Sequence, residues 1–426
     1  MKKNKFIKST LILILGGFIT KILGMLIKIV TTRALGTEGI GLYMLITPTF
    51  MLLITLSQLG LPVAISKLVA EDNRNNKNLV FSIIPVTIII NIVIIIIMLI
   101  FSKYIATNLL HDKRCYYALI CTGLVLPFIS ISSILRGYFF GKEKMIPHVV
   151  SNITEDLVRL IIIAVGVKLF NKIEYAVAFI VISNIFSELT SIFVLFFFLP
   201  KKFNIKKTDF KLHLSNAKDI LEISIPTTGS RLIGSISYFF EPIIITFVLI
   251  KIGYSNSFII NEYGIINGYV MPLLLLPSFF TMAISQALIP EVSKLYSRKK
   301  YKETYKKIKE AIFFSLLIGI PATIIFEIFP EQLLKFIYNT NEGVTYLKVL
   351  APICILHYIQ SPLTSAMQAM NKSVSAMNAT IIGSIIKVIL LFSLSYLHIG
   401  MWGLIIATSI NIIYVTLHHI KHIKRT

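Results

Sequence analysis

Apolar runs of about twenty residues follow one another along the whole length of this chain, separated by short polar loops. A helix of that length crosses roughly 30 Å of hydrocarbon, and a soluble domain has no means of burying a dozen of them. In lipid every backbone polar group must be bonded internally, so the runs must fold as helices. Composition agrees. The 426 residues are 55% hydrophobic and 15% charged, where soluble domains average about 45–50% and 25%. A soluble enzyme, a disordered chain and a nucleic-acid-binding protein are thereby excluded.

Twelve spans fit, at about 6–32, 40–69, 79–101, 116–140, 149–169, 174–199, 219–250, 263–290, 311–329, 346–370, 375–397 and 400–420. Met1-Lys2-Lys3-Asn4-Lys5 before an apolar stretch imitates a signal peptide, but no small-x-small cleavage site follows, and it reads as a retained first helix. Proline removes a backbone donor and kinks a helix. Pro62, Pro226, Pro242, Pro272 and Pro277 are therefore hinge candidates, with Gly36, Gly39 and Gly41 in the turn between spans 1 and 2, where an outer turn calls for positive φ. Three cysteines, Cys115, Cys121 and Cys354, show neither metal spacing nor an even count for a disulfide framework. His418, His419 and His422 read as part of a solvated basic tail, and no metal site or cofactor is expected.

The chain is also strongly basic, with 42 Lys and Arg against 20 Asp and Glu. Most of the loop cations fall at the N-terminus, the C-terminus and the even-to-odd loops, with the heaviest clusters at 201–218 and 291–310. Cations mark the cytoplasmic side, which places both termini inside and brings these loops against anionic lipids.

The sequence repeats itself. Thr20-Lys21-Ile22-Leu23-Gly24 matches Ser230-Arg231-Leu232-Ile233-Gly234, and Pro62 before Ser66-Lys67-Leu68 matches Pro290 before Ser293-Lys294-Leu295. Gly141-Lys142 parallels Asn371-Lys372, and Arg159 parallels Lys387. Six helices per unit give both halves the same orientation about an axis along the membrane normal. The expected organisation is an N-terminal lobe over 1–200, a basic linker over 201–218 and a C-terminal lobe over 219–426.

A basic side chain at the bilayer centre costs roughly 2.5–3.5 kcal/mol on insertion scales, so intramembrane cations call for a function. Gly17, Lys21, Gly24, Lys28 and Thr31 share one helical face, small and cationic; Ser224, Thr228, Arg231, Ser235 and Tyr238 repeat it in span 7. In a two-fold arrangement the two faces would meet across a central cleft. Alternatively each cation pairs with an intramembrane acid such as Glu188, Glu241 or Glu327. In span 5, Glu155 and Asp156 stand four and three residues before Arg159, so that helix can neutralise its own cation. Lys387 has no acid in its own span and needs either a partner helix or an anionic ligand.

Three strings carry a family likeness: Leu35-Gly36-Thr37-Glu38-Gly39-Ile40-Gly41-Leu42-Tyr43, Gly60-Leu61-Pro62-Val63-Ala64-Ile65-Ser66-Lys67, and Arg136-Gly137-Tyr138-Phe139-Phe140-Gly141 followed by Pro147, Ser151, Glu155 and Arg159. They resemble the polysaccharide-export branch of the multidrug/oligosaccharidyl-lipid/polysaccharide (MOP) flippases, and within it the sporulation proteins related to lipid II flippases. The resemblance implies an all-α, MATE-like fold of two six-helix lobes around a central cavity, alternating access, and a bacterial cytoplasmic membrane. It implies a polyprenyl-diphosphate-linked saccharide as cargo, with Lys21, Lys28 and Arg231 at cavity positions that are basic in the family. Family members commonly carry fourteen helices, and twelve are read here.

The expected function is a flippase for a lipid-linked envelope saccharide such as a peptidoglycan precursor for spore cortex or cell wall. Lys21, Lys28, Arg231 and Lys387 would hold the diphosphate, and the proline-kinked helices would let the lobes rock. Glu241 is a candidate ion-coupling group for an ion gradient or membrane potential, with Glu155, Asp156 and Arg159 as ion-pairing candidates. No bond is made or broken, so no enzyme is expected; the protein reads as a monomer, with envelope synthesis enzymes as possible partners. Two alternatives are an antiporter for small organic cations, which needs an acidic cavity, and a non-transporting scaffold of envelope assembly. A membrane glycan polymerase would need a larger outer loop.

Overall fold

A computed structural model describes residues 2–70, 76–200, 203 and 214–424, and these are helical almost throughout. Of the expected linker at 201–218, all but Phe203 and the helical backbone from Leu214 lies outside the described residues. The chain forms two compact units, Met1–Phe239 and Phe240–Thr426, whose boundary falls inside one helix.

The first unit is built from α1 (Lys2–Gln58), α2 (Leu61–Ala70), α3 (Asn76–Ser82), α4 (Ile84–Tyr104), α5 (Cys115–Gly141), α6 (Met145–Gly166), α7 (Ile173–Phe197) and the first part of α8 (Leu214–Lys251). Gly36 breaks α1 into two rods with φ 66 and ψ −176, a conformation that essentially only glycine enters. Spans 1 and 2 thus join at a single residue. Gly39 and Gly41, which the sequence places in an open turn, lie buried inside the second rod, and among the described residues of this turn Gly36 alone has positive φ. A helix can restart immediately after one such residue, so no longer turn is needed.

The second break, at Leu59 and Gly60, has φ of 46 and 65 and precedes Pro62, which sits in the first turn of α2. There a proline's missing N–H removes no helical bond, so it starts a helix instead of kinking one.

The centre of this unit is α5, packed against α1, α2, α4 and α7. Gly137 and Gly141 make this possible: a Cβ there would come within 2.8 Å of the Pro62 carbonyl oxygen and 2.6 Å of that of Ser66. Close backbone approach through small residues is how membrane helices gain van der Waals contact where no hydrophobic effect separates them from lipid. A buried triad ties three helices together. Ser57 of α1 bonds Asn91 of α4 and Ser130 of α5, each at 2.5 Å, and Asn91 Nδ2 donates to Ser130 at 3.1 Å.

Outside the spans, Arg114 clasps Asp112 at 2.8 Å and Glu38 at 2.5 Å, pinning the loop before α5 to the start of the second α1 rod. The hydrogen bonds it donates to Asp112, with help from Glu38, raise the guanidinium further above its already high range.

The second unit continues α8 and adds α9 (Asn256–Gly264), α10 (Met271–Leu274), α11 (Ser278–Ser297), α12 (Tyr301–Ile328), α13 (Pro330–Tyr338), α14 (Val344–Ala369), α15 (Ser373–Ser395) and α16 (Trp402–Lys424). Its core runs through α11, α12 and α14, and α15 pairs with α16. Gly319 lets α12 pass Tyr358, whose hydroxyl donates to the Leu274 carbonyl at 2.7 Å. Pro272 stands in the first turn of α10 and Pro277 caps α11, so both sit at a bend of 50°. Pro242 stays inside an unbroken α8; Pro226 lies in that helix too, with its side chain outside the described residues.

Among the described residues nine helices are long and apolar enough to cross a membrane, or ten counting the bent pair as one. The 56-residue stretch Leu15–Ala70 counts once although it contains two expected spans, and α6 is kept out by Glu155, Asp156 and Arg159.

Candidate functional site

On α1, Gly16 packs against Val149 of α6, while Gly17, Lys21 and Gly24 are exposed. A Cβ at Gly17 or Gly24 would meet nothing within 4 Å, so Lys21 stands on a face open on either side. Further along, Lys28 is half-buried and Thr31 is 4% exposed, so the stripe turns into the protein towards its C-terminal end.

The corresponding face of α8 is packed differently. Ser224 and Thr228 are buried, Arg231 is exposed, and Gly234 again faces open space. Ser235 bonds Thr55 of α1 at 2.9 Å, which fixes this part of α8 against the first unit. Among the described residues Arg231 has no ion-pair partner.

The contact of Gly16 with Val149 sets Lys21 level with the charged stretch of α6, near enough to Asp156 for the two charges to interact. Asp156 belongs to a network spanning α5, α6 and α7. Arg136 of α5 donates to Glu155 of α6 and, at 2.8 Å, to Ser191 of α7, and it lies 3.6 Å from Glu188. Arg159 donates to Glu155 at 2.5 Å and lies 3.9 Å from Asp156, with Nε reaching Ser187 at 3.3 Å. Ser132 donates to Glu188 at 2.5 Å. Glu155 and Glu188 are both buried.

Three carboxylates face two guanidinium groups, a formal excess of one negative charge that Lys21 is placed to offset. Sequence reading passed over Arg136, as one letter of a helix-ending string. Its signal is a cation held in an apolar span behind Ser132 and Ser133.

In the second unit, two residues singled out separately come together. Lys387 Nζ of α15 donates to Glu241 Oε2 of α8 at 2.5 Å, and the Tyr263 hydroxyl of α9 donates to Oε1 at 3.0 Å. Glu241 is 4% exposed, so its carboxylate depends on these two donors. Tyr263 carried no sequence signal, being one tyrosine of eighteen. The arrangement holds fixed charge.

Comparison with known proteins agrees with this architecture. The family model described as polysaccharide biosynthesis protein matches residues 6–296, and the MatE model matches 266–393. Stage V sporulation protein B of Bacillus subtilis (strain 168) is 37% identical over all of this chain and 85% of its own length. Lipid II flippase MurJ of the same organism is 24% identical over 99% of this chain and 83% of its own. Among solved structures, the inward-facing conformation of a multidrug resistance MATE family transporter of the MOP superfamily aligns with a TM-score of 0.75, 17% identity, and coverage of 95% of this chain and 96% of that one. The fold is that of a MATE-like, all-α, multi-pass membrane protein. With its family model matching more than half the chain, this protein belongs to the polysaccharide biosynthesis protein family.

Proposed function

We propose that this protein is a flippase that moves a polyprenyl-diphosphate-linked saccharide, such as a peptidoglycan precursor, from the inner to the outer leaflet by alternating access. The observation that carries the reading is the pair of exposed cations, Lys21 on α1 and Arg231 on α8, each beside a glycine that leaves its face open. Arg231 has no ion-pair partner among the described residues and Lys21 shares Asp156 with Arg159, so an anion that comes to either cation is stabilising, and a diphosphate accepts strong charge-assisted hydrogen bonds. The resemblance to a sporulation protein and a lipid II flippase supports the same cargo class. Lys28, half-buried on the same face of α1, extends the headgroup contact. Lys387, matched by Glu241, belongs to charge coupling in the second unit.

The chemistry is transport alone. The basic loops support a reading in which both termini lie on the cytoplasmic side of a bacterial cell membrane. A small-cation antiporter finds less support, because the buried carboxylates Glu155, Glu188 and Glu241 already face Arg or Lys.

The test is leaflet exchange of a fluorescent undecaprenyl-diphosphate sugar in proteoliposomes. Wild type should exchange it, and the Lys21→Ala/Arg231→Ala double variant should lose at least tenfold in rate while keeping its thermal unfolding midpoint. Equal rates for the two would remove the cationic faces from the mechanism.

A further inference from the structure

The first half of α12 carries an open groove of about 850 Å³, lined by side chains of that helix between Lys302 and Phe314. Lys302, Lys306, Lys309 and Phe313 follow one another at i, i+4, i+7 and i+11, and Leu317 and Ile320 continue the line. All six are exposed: Phe313 is 61% and Leu317 59% accessible. One helical stripe therefore begins as three cations and ends as uncovered hydrocarbon.

Two further observations define what this stripe can hold. The helix has 28 residues. At 1.5 Å per residue that is about 42 Å, roughly 12 Å more than the hydrocarbon core, so its first eight or nine residues stand in the headgroup layer. The lysines occupy that layer, and Phe313 opens the apolar stretch below it.

The acids nearby are claimed by lysines off the stripe. Glu303 pairs with Lys300 at 2.7 Å, and Lys307 lies 2.9 Å from Glu310 and 3.7 Å from Glu291. Glu310, which lines the groove, also feels Lys306. Among the described residues Lys302, Lys306 and Lys309 have no ion-pair partner. The Tyr305 hydroxyl bonds the Ile423 carbonyl at 2.8 Å, so the groove lies at the same end of the second unit as the close of α16.

We propose that this stripe is a binding site for one anionic phospholipid of the leaflet on that side, with its phosphate on Lys302, Lys306 and Lys309 and an acyl chain along Phe313 and Leu317. The polar end demands a negative headgroup and the apolar end demands a chain, which separates a lipid from a soluble phosphate. The site is independent of the cationic faces on α1 and α8.

Binding is read by native mass spectrometry and by thermal unfolding of the detergent-purified chain with dioleoylphosphatidylglycerol, dioleoylphosphatidylcholine or sn-glycerol 3-phosphate. Phosphatidylglycerol should be retained and raise the midpoint, and the other two should not. With each lysine near a charged membrane surface contributing about fivefold, Lys302→Gln/Lys306→Gln/Lys309→Gln should bind phosphatidylglycerol about a hundredfold more weakly. Lys300→Gln should bind as wild type. Because all four positions are exposed, the variants should unfold at the wild-type midpoint in lipid-free detergent. Undiminished phosphatidylglycerol binding by the triple variant, or equal binding of phosphatidylcholine or glycerol phosphate by wild type, would overturn the proposal. A result of either kind leaves the flippase reading where it stands, since leaflet exchange of the saccharide lipid is measured separately.

Discussion

Lys387 and Glu241, 146 positions apart in sequence, meet at 2.5 Å between α15 and α8, and Tyr263 from α9 closes the other oxygen of the same carboxylate. Breaking such a pair from one side leaves a charge uncompensated in a poorly solvated place, at a cost of about 3–5 kcal/mol. Lys387→Met should therefore unfold at a clearly lower temperature than wild type. Lys387→Met/Glu241→Gln, which removes both charges, should recover most of the loss. A double variant no more stable than Lys387→Met would show that the two residues act independently.

Glycines on α1 and α5 should respond in opposite ways. Gly141→Ala puts a methyl 2.6 Å from the Ser66 carbonyl oxygen and must push α2 from α5, lowering stability by about 1–3 kcal/mol. Gly17→Ala and Gly24→Ala enter open space and should leave stability unchanged, or raise it slightly through helix propensity. Gly24→Leu, whose Cβ also enters open space, should slow leaflet exchange by crowding Lys21. Thermal unfolding and the exchange assay, run on the same preparations, separate these outcomes.

Arg136 is the hub of the charged network in the first unit. It touches Glu155 of α6 and Ser191 of α7 and lies near Glu188 of α7, so it joins two other helices to its own. Arg136→Ala leaves buried Glu188 without its nearest cation and Glu155 with Arg159 alone, and should cost about 3–5 kcal/mol. Arg136→Lys keeps the charge but loses the planar fork, so it should rescue only part of that. Urea-induced unfolding in mild detergent provides the comparison; a full rescue by lysine would mean that charge alone matters there.

Arg114 gives a pH expectation. Its partners raise its pKa above the unfolded value, so its contribution is complete below that value and is lost only as pH rises past the folded one. Both lie in strongly alkaline solution. The difference in unfolding midpoint between wild type and Arg114→Gln should be the same at pH 7 and pH 9. A gap that closes by pH 9 would contradict the clasp.

Matched positions in the two halves of the sequence find their partners in different ways. Lys21 and Arg231 hold matched positions in the repeat, and both prove exposed beside an open glycine. Arg159 and Lys387 are matched as well, but Arg159 answers acids of its own helix and Lys387 an acid of another. Spacing within a helix announces the first kind of partner, because i, i+4 neighbours share a face whatever surrounds them. It is silent about the second.

The sequence by itself determined that this chain is a bundle of membrane helices, roughly where each begins and ends, and which cations are costly inside them. Those follow from local rules: hydrocarbon thickness fixes helix length, and the period of 3.6 fixes which residues share a face. Only the tertiary structure decided that Arg136 gathers acids from two other helices, that Glu241 receives Lys387 and Tyr263, and that one glycine of three makes the break after span 1. It also decided that the lysines of α12 lead onto uncovered phenylalanine and leucine. Each of these depends on which helices lie side by side and at what register, and that is settled by packing across residues far apart in the chain.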